Sequence, residues 1–188
     1  MGNFKFTETK IKDLYIIEPA VFGDERGYFM ETYNKEDFFK AGLTMEFVQD
    51  NESKSRKGVL RGLHFQTKHT QGKLVRVTRG AVYDVAVDLR KGSPTYGQWE
   101  GILLTEENKK QFYVPEGFAH GFLVCSDEAV FNYKCTDFYA PEYDGGVLWN
   151  DPSIGVEWPL EGIEEVILSD KDRNQKRLEE LDLPFIFE

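Results

Sequence analysis

Residues 81–90 read AVYDVAVDLR. Tyr83, Val85, Val87 and Leu89 alternate with Asp84, Ala86, Asp88 and Arg90, the period-two pattern of a strand with one apolar face and one charged face. Segments of this kind recur from Met45 to Tyr139. Turn signals part them at Arg79-Gly80, Lys91-Gly92-Ser93-Pro94, Glu106-Glu107-Asn108, Pro115-Glu116-Gly117 and Ser126-Asp127-Glu128. Many short strands with regular turns predict an all-β sandwich or barrel.

Before this block, residues 11–33 read as extended segments, with a charged turn at Gly23-Asp24-Glu25-Arg26-Gly27 between aromatic flanks, a hairpin signal. Asn34 is placed to cap a short helix, NKEDFFKAG, with Asp37 in its first turn and Gly42 past its end. Beyond Tyr139, the Pro- and Gly-rich stretch to Gly162 predicts irregular coil, with Trp149 and Trp158 to bury. Ser169-Asp170-Lys171-Asp172 resembles a capping box and predicts a polar helix to about Leu181. No repeat or linker divides the 188 residues, so one domain over 1–188 with short peripheral helices is expected.

A net charge of −10 argues against a general binder of nucleic acid or acidic membrane, since the protein's field repels a polyanion. No apolar run approaches the roughly 18–20 residues that span a bilayer, and MGNFKFTETK lacks a signal-peptide core. A cytoplasmic location is expected, where Cys125 and Cys135 stay free thiols.

Against this acidic background, residues 56–66, RKGVLRGLHFQ, gather Arg56, Lys57, Arg61 and His64 around an apolar run. Gly58 and Gly62 allow close backbone approach, and the cluster suggests a site for an anion. G-x5-H (Gly58 to His64) and P-x-G-x-x-H (Pro115 to His120) resemble partial patterns of the cupins, a jelly-roll superfamily. Where metal-binding cupins carry a second His and then a Glu, this chain has Gln66, and Thr70 and Gln71. Two imidazoles make a poor site for a metal that takes four or more ligands, so a metal-free barrel is expected. A histidine there can act as a general base, or be no more than a satisfied core residue.

The runs PAVFGDERGYFMETYN, FVQDNESKSRKGVLRGLHFQ, QGKLVRVTRGAVYDVAVDLRKGSPTYGQW, YVPEGFAHGF, YKCTDFY and LSDKD occur in order over about residues 19–172. Together they closely resemble the dTDP-4-dehydrorhamnose 3,5-epimerase family. The resemblance implies a cupin-like jelly-roll β-barrel, usually a homodimer. It implies an epimerase without cofactor that acts on a 4-keto sugar nucleotide and inverts C3 and C5. It makes His64 the base, Tyr133 the acid and Asp172 the partner of the histidine. Arg26 and Arg61 are implied at the pyrophosphate, Lys73 near the sugar, and Glu31, Gln49 and Asn51 at the nucleotide end. His120 and Lys171 are implied in the pocket. Where the family commonly has a glutamate this chain has Asp144, shorter by one methylene, and it is carried over only weakly.

Each assignment has a plainer competitor. Asp172 fits the acidic member of a helix cap, Tyr133 a core strand tyrosine, and any one Arg or Lys a solvated charge. At the level of function the competitors are a sister enzyme that inverts one carbon of a related keto sugar, and a barrel that binds sugar nucleotides without turning them over.

Overall fold

The computed structural model describes residues 2–188. Its strands are β1 (Phe4–Glu8), β2 (Tyr15–Pro19), β3 (Phe22–Asp24), β4 (Gly27–Phe29), β5 (Gln49–Arg56), β6 (Leu60–Gln66), β7 (Lys73–Arg79), β8 (Ala81–Asp88), β9 (Trp99–Thr105), β10 (Gln111–Val114), β11 (Phe118–Val124), β12 (Glu128–Cys135) and β13 (Asp144–Gly146). Two short helices join them, α1 (Lys35–Lys40) and α2 (Asp170–Arg173).

The strands form a six-stranded sheet, β1-β2-β10-β7-β12-β5, and a five-stranded sheet, β13-β6-β11-β8-β9, with β3 and β4 as a separate hairpin. All strand pairs are antiparallel. Between the sheets lies an apolar core that includes Val75, Val77, Val82, Ala86, Leu104, Phe112, Phe122 and Phe131. This is the all-β barrel that the recurring strands and turns predict, in the jelly-roll form that the family resemblance implies.

One detail of the alternation over residues 81–90 differs. The charged face of β8 is not solvated, because Asp84 and Asp88 are buried, as is Arg90 just past its end. Their alternation with Val85, Val87 and Leu89 separates the barrel interior from a second buried surface. The outer face of the five-stranded sheet is coated by the C-terminal segment, with Val147, Ile154, Trp158, Leu183 and Phe185 packed on Leu63, Phe65, Val85, Val87 and Leu123. The Trp158 indole donates to the Trp149 carbonyl at 2.9 Å. The irregular stretch after Tyr139 is therefore ordered by its tryptophans.

Asp88 and Arg90 form a structural knot. Asp88 accepts from Arg90 Nε (3.0 Å), Ser93 Oγ (2.6 Å) and Thr95 Oγ1 (2.7 Å), and Arg90 also reaches Asp13 at 2.7 Å and stacks between Phe118 and Phe187. Every lone pair that matters has a partner, which is how a buried ion pair becomes tolerable.

Asn34 caps α1 as predicted, accepting from the N–H groups of Glu36 and Asp37, and Gly42 follows the helix at φ +86°. The second helix is shorter than predicted. Ser169 caps it through the Asp172 N–H, but it ends at Arg173. The chain then leaves the helix to pack Leu178 and Leu181 against the coat. A single turn is not stable alone, and this one is held by Ser169 and by Asp172, whose carboxylate turns inward.

Candidate active site

Side chains that point into the barrel are apolar toward one end and polar toward the other. The polar set comes from five strands: Gln49 and Asn51 on β5, His64 on β6, Lys73 on β7, His120 on β11 and Tyr133 on β12. Registers bring them together, since His64 lies opposite His120, Asn51 opposite Tyr133, and Lys73 opposite Cys135.

His64 Nε2 lies 2.5 Å from Asp172 Oδ1, although the two residues are 108 positions apart. The other Asp172 oxygen accepts from the Gly62 N–H at 3.2 Å. Burial disfavours the Asp172 carboxylate, but the hydrogen bonds and charge of His64, with the Gly62 and Ser169 bonds, outweigh it and hold its pKa below the usual range. A carboxylate that stays ionised keeps the proton on the ring nitrogen facing it and leaves a lone pair on the other. Asp172 is thus both a capped-helix residue and the partner of His64.

The two glycines before His64 do admit a close approach, but to protein. A Cβ on Gly62, at φ +138°, would stand 2.6 Å from the Cα of Gly121, and one on Gly58 would meet the Glu165 carbonyl at 2.4 Å. Gly62 lets β6 press against β11, which sets His64 at the barrel wall.

Across the interior, burial raises the Tyr133 phenol, helped by Cys135 and opposed by Asn51 and Arg61. A phenol kept protonated is suited to donate a proton. Lys73 lies at the start of β7, and burial lowers its pKa, against the opposing pull of Cys135, Asp144 and Asp84. Asp84 accepts His120 Nε2 at 2.9 Å from both oxygens, and burial raises its pKa while His120 and Lys73 resist. Asp84 has no place among the residues singled out from sequence. The available signal was an aspartate inside the apolar run VYDVAV, on the same face as Val82 and Ala86.

At the mouth, Asp144 bonds to Lys171, whose neighbour is Asp172. Gly146 of the same short strand lies opposite His64. Tyr139, also not singled out, donates its N–H to Gln49 Oε1 at 3.0 Å and its hydroxyl to Asp144 at 3.4 Å. Arg61 is exposed, with its Nε bonded to Ser55 Oγ at 3.1 Å and its guanidinium otherwise open.

Arg26 and Glu31 are not brought to His64 within one copy of the chain. Arg26 sits on the exposed β3–β4 hairpin and is bonded to Asp24 through Nε and Nη2. Glu31 accepts from Asn3 and Asn34 near α1. Among the described residues, no three His, Cys, Asp or Glu side chains converge in a way that could hold a metal ion. Both cysteines are free thiols.

An arrangement with a carboxylate-oriented imidazole, a protonated phenol and a partly buried lysine can remove a proton beside a carbonyl, stabilise the enolate and return a proton from elsewhere. Known proteins resemble it closely. The family model described as dTDP-4-dehydrorhamnose 3,5-epimerase matches residues 8–180. The enzyme of that name from Methanothermobacter thermautotrophicus is 59% identical over 180 residues, 96% of this chain and 97% of that one. Its namesake from Pseudomonas aeruginosa is 54% identical over 95% of this chain and 98% of its own. A crystal structure of dTDP-6-deoxy-D-glucose-3,5-epimerase from Legionella pneumophila Philadelphia 1, in complex with dTDP-4-keto-L-rhamnose, superposes with a TM-score of 0.95 at 51% identity, covering 98% of this chain and all of that one. With these likenesses extending over nearly its whole length, the chain belongs to the dTDP-4-dehydrorhamnose 3,5-epimerase family.

Proposed function

We propose that this protein, acting over 1–188 as one jelly-roll epimerase domain, converts dTDP-4-dehydro-6-deoxy-D-glucose to dTDP-4-dehydro-L-rhamnose in dTDP-L-rhamnose biosynthesis, in the cytoplasm and without a cofactor. The observation that carries this reading is the 2.5 Å pairing of His64 with Asp172 on the barrel wall, with the half-buried phenol of Tyr133 inside the same barrel.

C3 and C5 flank the C4 ketone, so their protons are acidified and either carbanion is an enolate. His64 takes the proton through the nitrogen that Asp172 leaves unprotonated. Lys73, a cation depressed by burial, stands by the oxygen where charge develops, at a cost already met in folding. Tyr133 returns a proton from the opposite face, which inverts the centre. Asp84 keeps His120 oriented beside Lys73. Arg61 binds the pyrophosphate through its planar fork. Gln49 and Asn51 meet the nucleotide end, and Lys171 with Asp144 closes the pocket.

Arg26 and Glu31 act at a second copy. The hairpin that carries Arg26 exposes Phe22, Tyr28 and Phe29, the last at 67%, and a patch of this kind on a globular chain marks an interaction surface. In a homodimer it would cover the partner and deliver the guanidinium to the partner's pyrophosphate. Sedimentation should show a dimer at assay concentration, and a monomer with full turnover would sink this part.

The test of function is turnover of the 4-keto sugar nucleotide in heavy water, coupled to a reductase of the 4-keto product. Deuterium should appear at both C3 and C5. Label at one carbon would make the chain a mono-epimerase, and label at neither would leave only a binding barrel.

Asp172→Asn keeps the shape but removes the charge, and kcat should fall by about 10²–10⁴, the usual worth of a positioned base. Stability tests the same bond. Because the folded pKa of Asp172 lies below its ordinary 3.8, its contribution is present above that value and is lost as pH falls through the folded pKa. Urea midpoints of wild type and variant should therefore differ at neutral pH and converge in acid.

A further inference from the structure

Two side chains singled out in the sequence have no part in the chemistry above. Gln66 and Gln71 stand on either side of the β6–β7 turn, and both reach across to one stretch of chain, residues 137–140. Gln66 is 4% exposed, and all three hydrogen bonds its amide makes go to backbone. Its Nε2 donates to the carbonyls of His69 (2.6 Å) and Phe138 (3.2 Å), and its Oε1 accepts from the Ala140 N–H at 2.8 Å. Gln71 Nε2 donates to the Asp137 carbonyl at 2.8 Å.

The stretch they hold forms the lip of the barrel mouth. It carries Tyr139, whose N–H bonds to Gln49 and whose hydroxyl bonds to Asp144. Asp144 in turn pairs with Lys171 and lies opposite Gln66 in the β6–β13 register. The backbone adds a Thr67 N–H to Tyr143 carbonyl bond at 2.9 Å. Phe138 and Tyr139 themselves are exposed, so packing does not fix this stretch. Its position is set by amide hydrogen bonds.

We propose that Gln66 and Gln71 are positioning residues: a pair of amide brackets that fixes residues 137–140 at the mouth, and so sets where Tyr139 and Asp144 meet the nucleotide half of the substrate. This deepens the epimerase reading and rests on it for the identity of the ligand. Every hydrogen bond these two amides make goes to backbone, so the brackets govern binding more than the chemical step.

Gln66→Glu is the decisive variant, because it keeps the shape and the acceptor for Ala140 while turning a carboxylate oxygen toward two carbonyl oxygens. The expected result is a KM for the nucleotide sugar raised about tenfold or more with kcat within threefold, the signature of lost binding shared by ground and transition states. The deuterium pattern on the product stays that of wild type. The pH dependence of dTDP affinity, titrated by calorimetry, gives a readout that a general loss of structure would not move. A carboxyl facing carbonyls is held in its protonated form to higher pH, and that form again donates. The dTDP affinity of Gln66→Glu should therefore recover toward wild type as pH falls from 7.5 to 5.5, while that of Gln66→Ala should not. Gln71→Glu should show a weaker version of the same effect, one bond being lost instead of two.

An unchanged KM, a fall in kcat at constant KM, or equal losses in Gln66→Glu and Gln66→Ala at both pH values would each overturn the proposal. Wild-type protein that binds dTDP but does not turn over would overturn the epimerase reading instead, and the calorimetric comparison would still decide on the brackets.

Discussion

Replacing His64 by alanine is expected to abolish measurable epimerisation, with kcat lowered by about 10³–10⁴ and substrate affinity changed severalfold at most. His64 is the side chain that Asp172 orients at 2.5 Å, and a base is needed only for the chemical step, so its removal costs transition-state stabilisation and little ground-state binding. The check is direct: in heavy water the variant should leave both C3 and C5 unlabelled, while dTDP titration gives nearly the wild-type affinity. Label at wild-type rate would remove His64 from the role of base. A dTDP affinity lost together with turnover would point to a damaged pocket.

Tyr133→Phe has the second largest expected effect and a different signature. The phenol is half-buried beside Phe131, and burial holds it in the protonated form. Without its hydroxyl, His64 can still form the enolate, but the proton comes back from the face it left. Deuterium should then exchange into recovered substrate while inversion falls by about 10²–10³, within the usual worth of an acid. The separation of exchange from inversion is what assigns acid and base to different faces. Inversion at wild-type rate would show that another donor serves. Loss of exchange together with inversion would mean that the phenol also supports the first step.

The sequence made some parts of this molecule legible because their physics is local. Period-two alternation, Asn34 at a helix start and the recurring turns each depend on a few neighbouring residues. His64, Tyr133 and Asp172 were named by resemblance, and residue patterns alone left Asp172 a plain helix-cap reading beside its role at the histidine. In the fold Ser169 caps the turn through the Asp172 N–H, while the carboxylate itself goes to His64 and Gly62 and not back to the cap.

Other parts depended on contacts between distant segments. Asp84 and Asp88 share one face of β8 and Arg90 follows in the same alternation just past its end, yet the first bonds to His120 while Arg90, held by Asp88, ties the barrel to Asp13. No periodicity separates these uses. The helix expected to run to about Leu181 ends after one turn because the coat competes for its leucines. Arg26 is the remaining case: the hairpin that bears it extends away into solvent, and the role proposed for it needs a second copy of the chain.

The C-terminal coat has a consequence for when the protein becomes active. All strands of the two sheets except the short edge strand β13 are in place by Cys135, and His64 lies early among them, but the carboxylate that tunes it arrives on a turn fastened by Trp158, Leu183 and Phe185 packing on the outer face. A chain whose barrel has closed but whose wrapping has not yet docked, or has peeled away, holds its histidine without a partner. Turnover then reports the last stage of assembly, and local opening of the wrapping silences the enzyme while leaving the barrel intact.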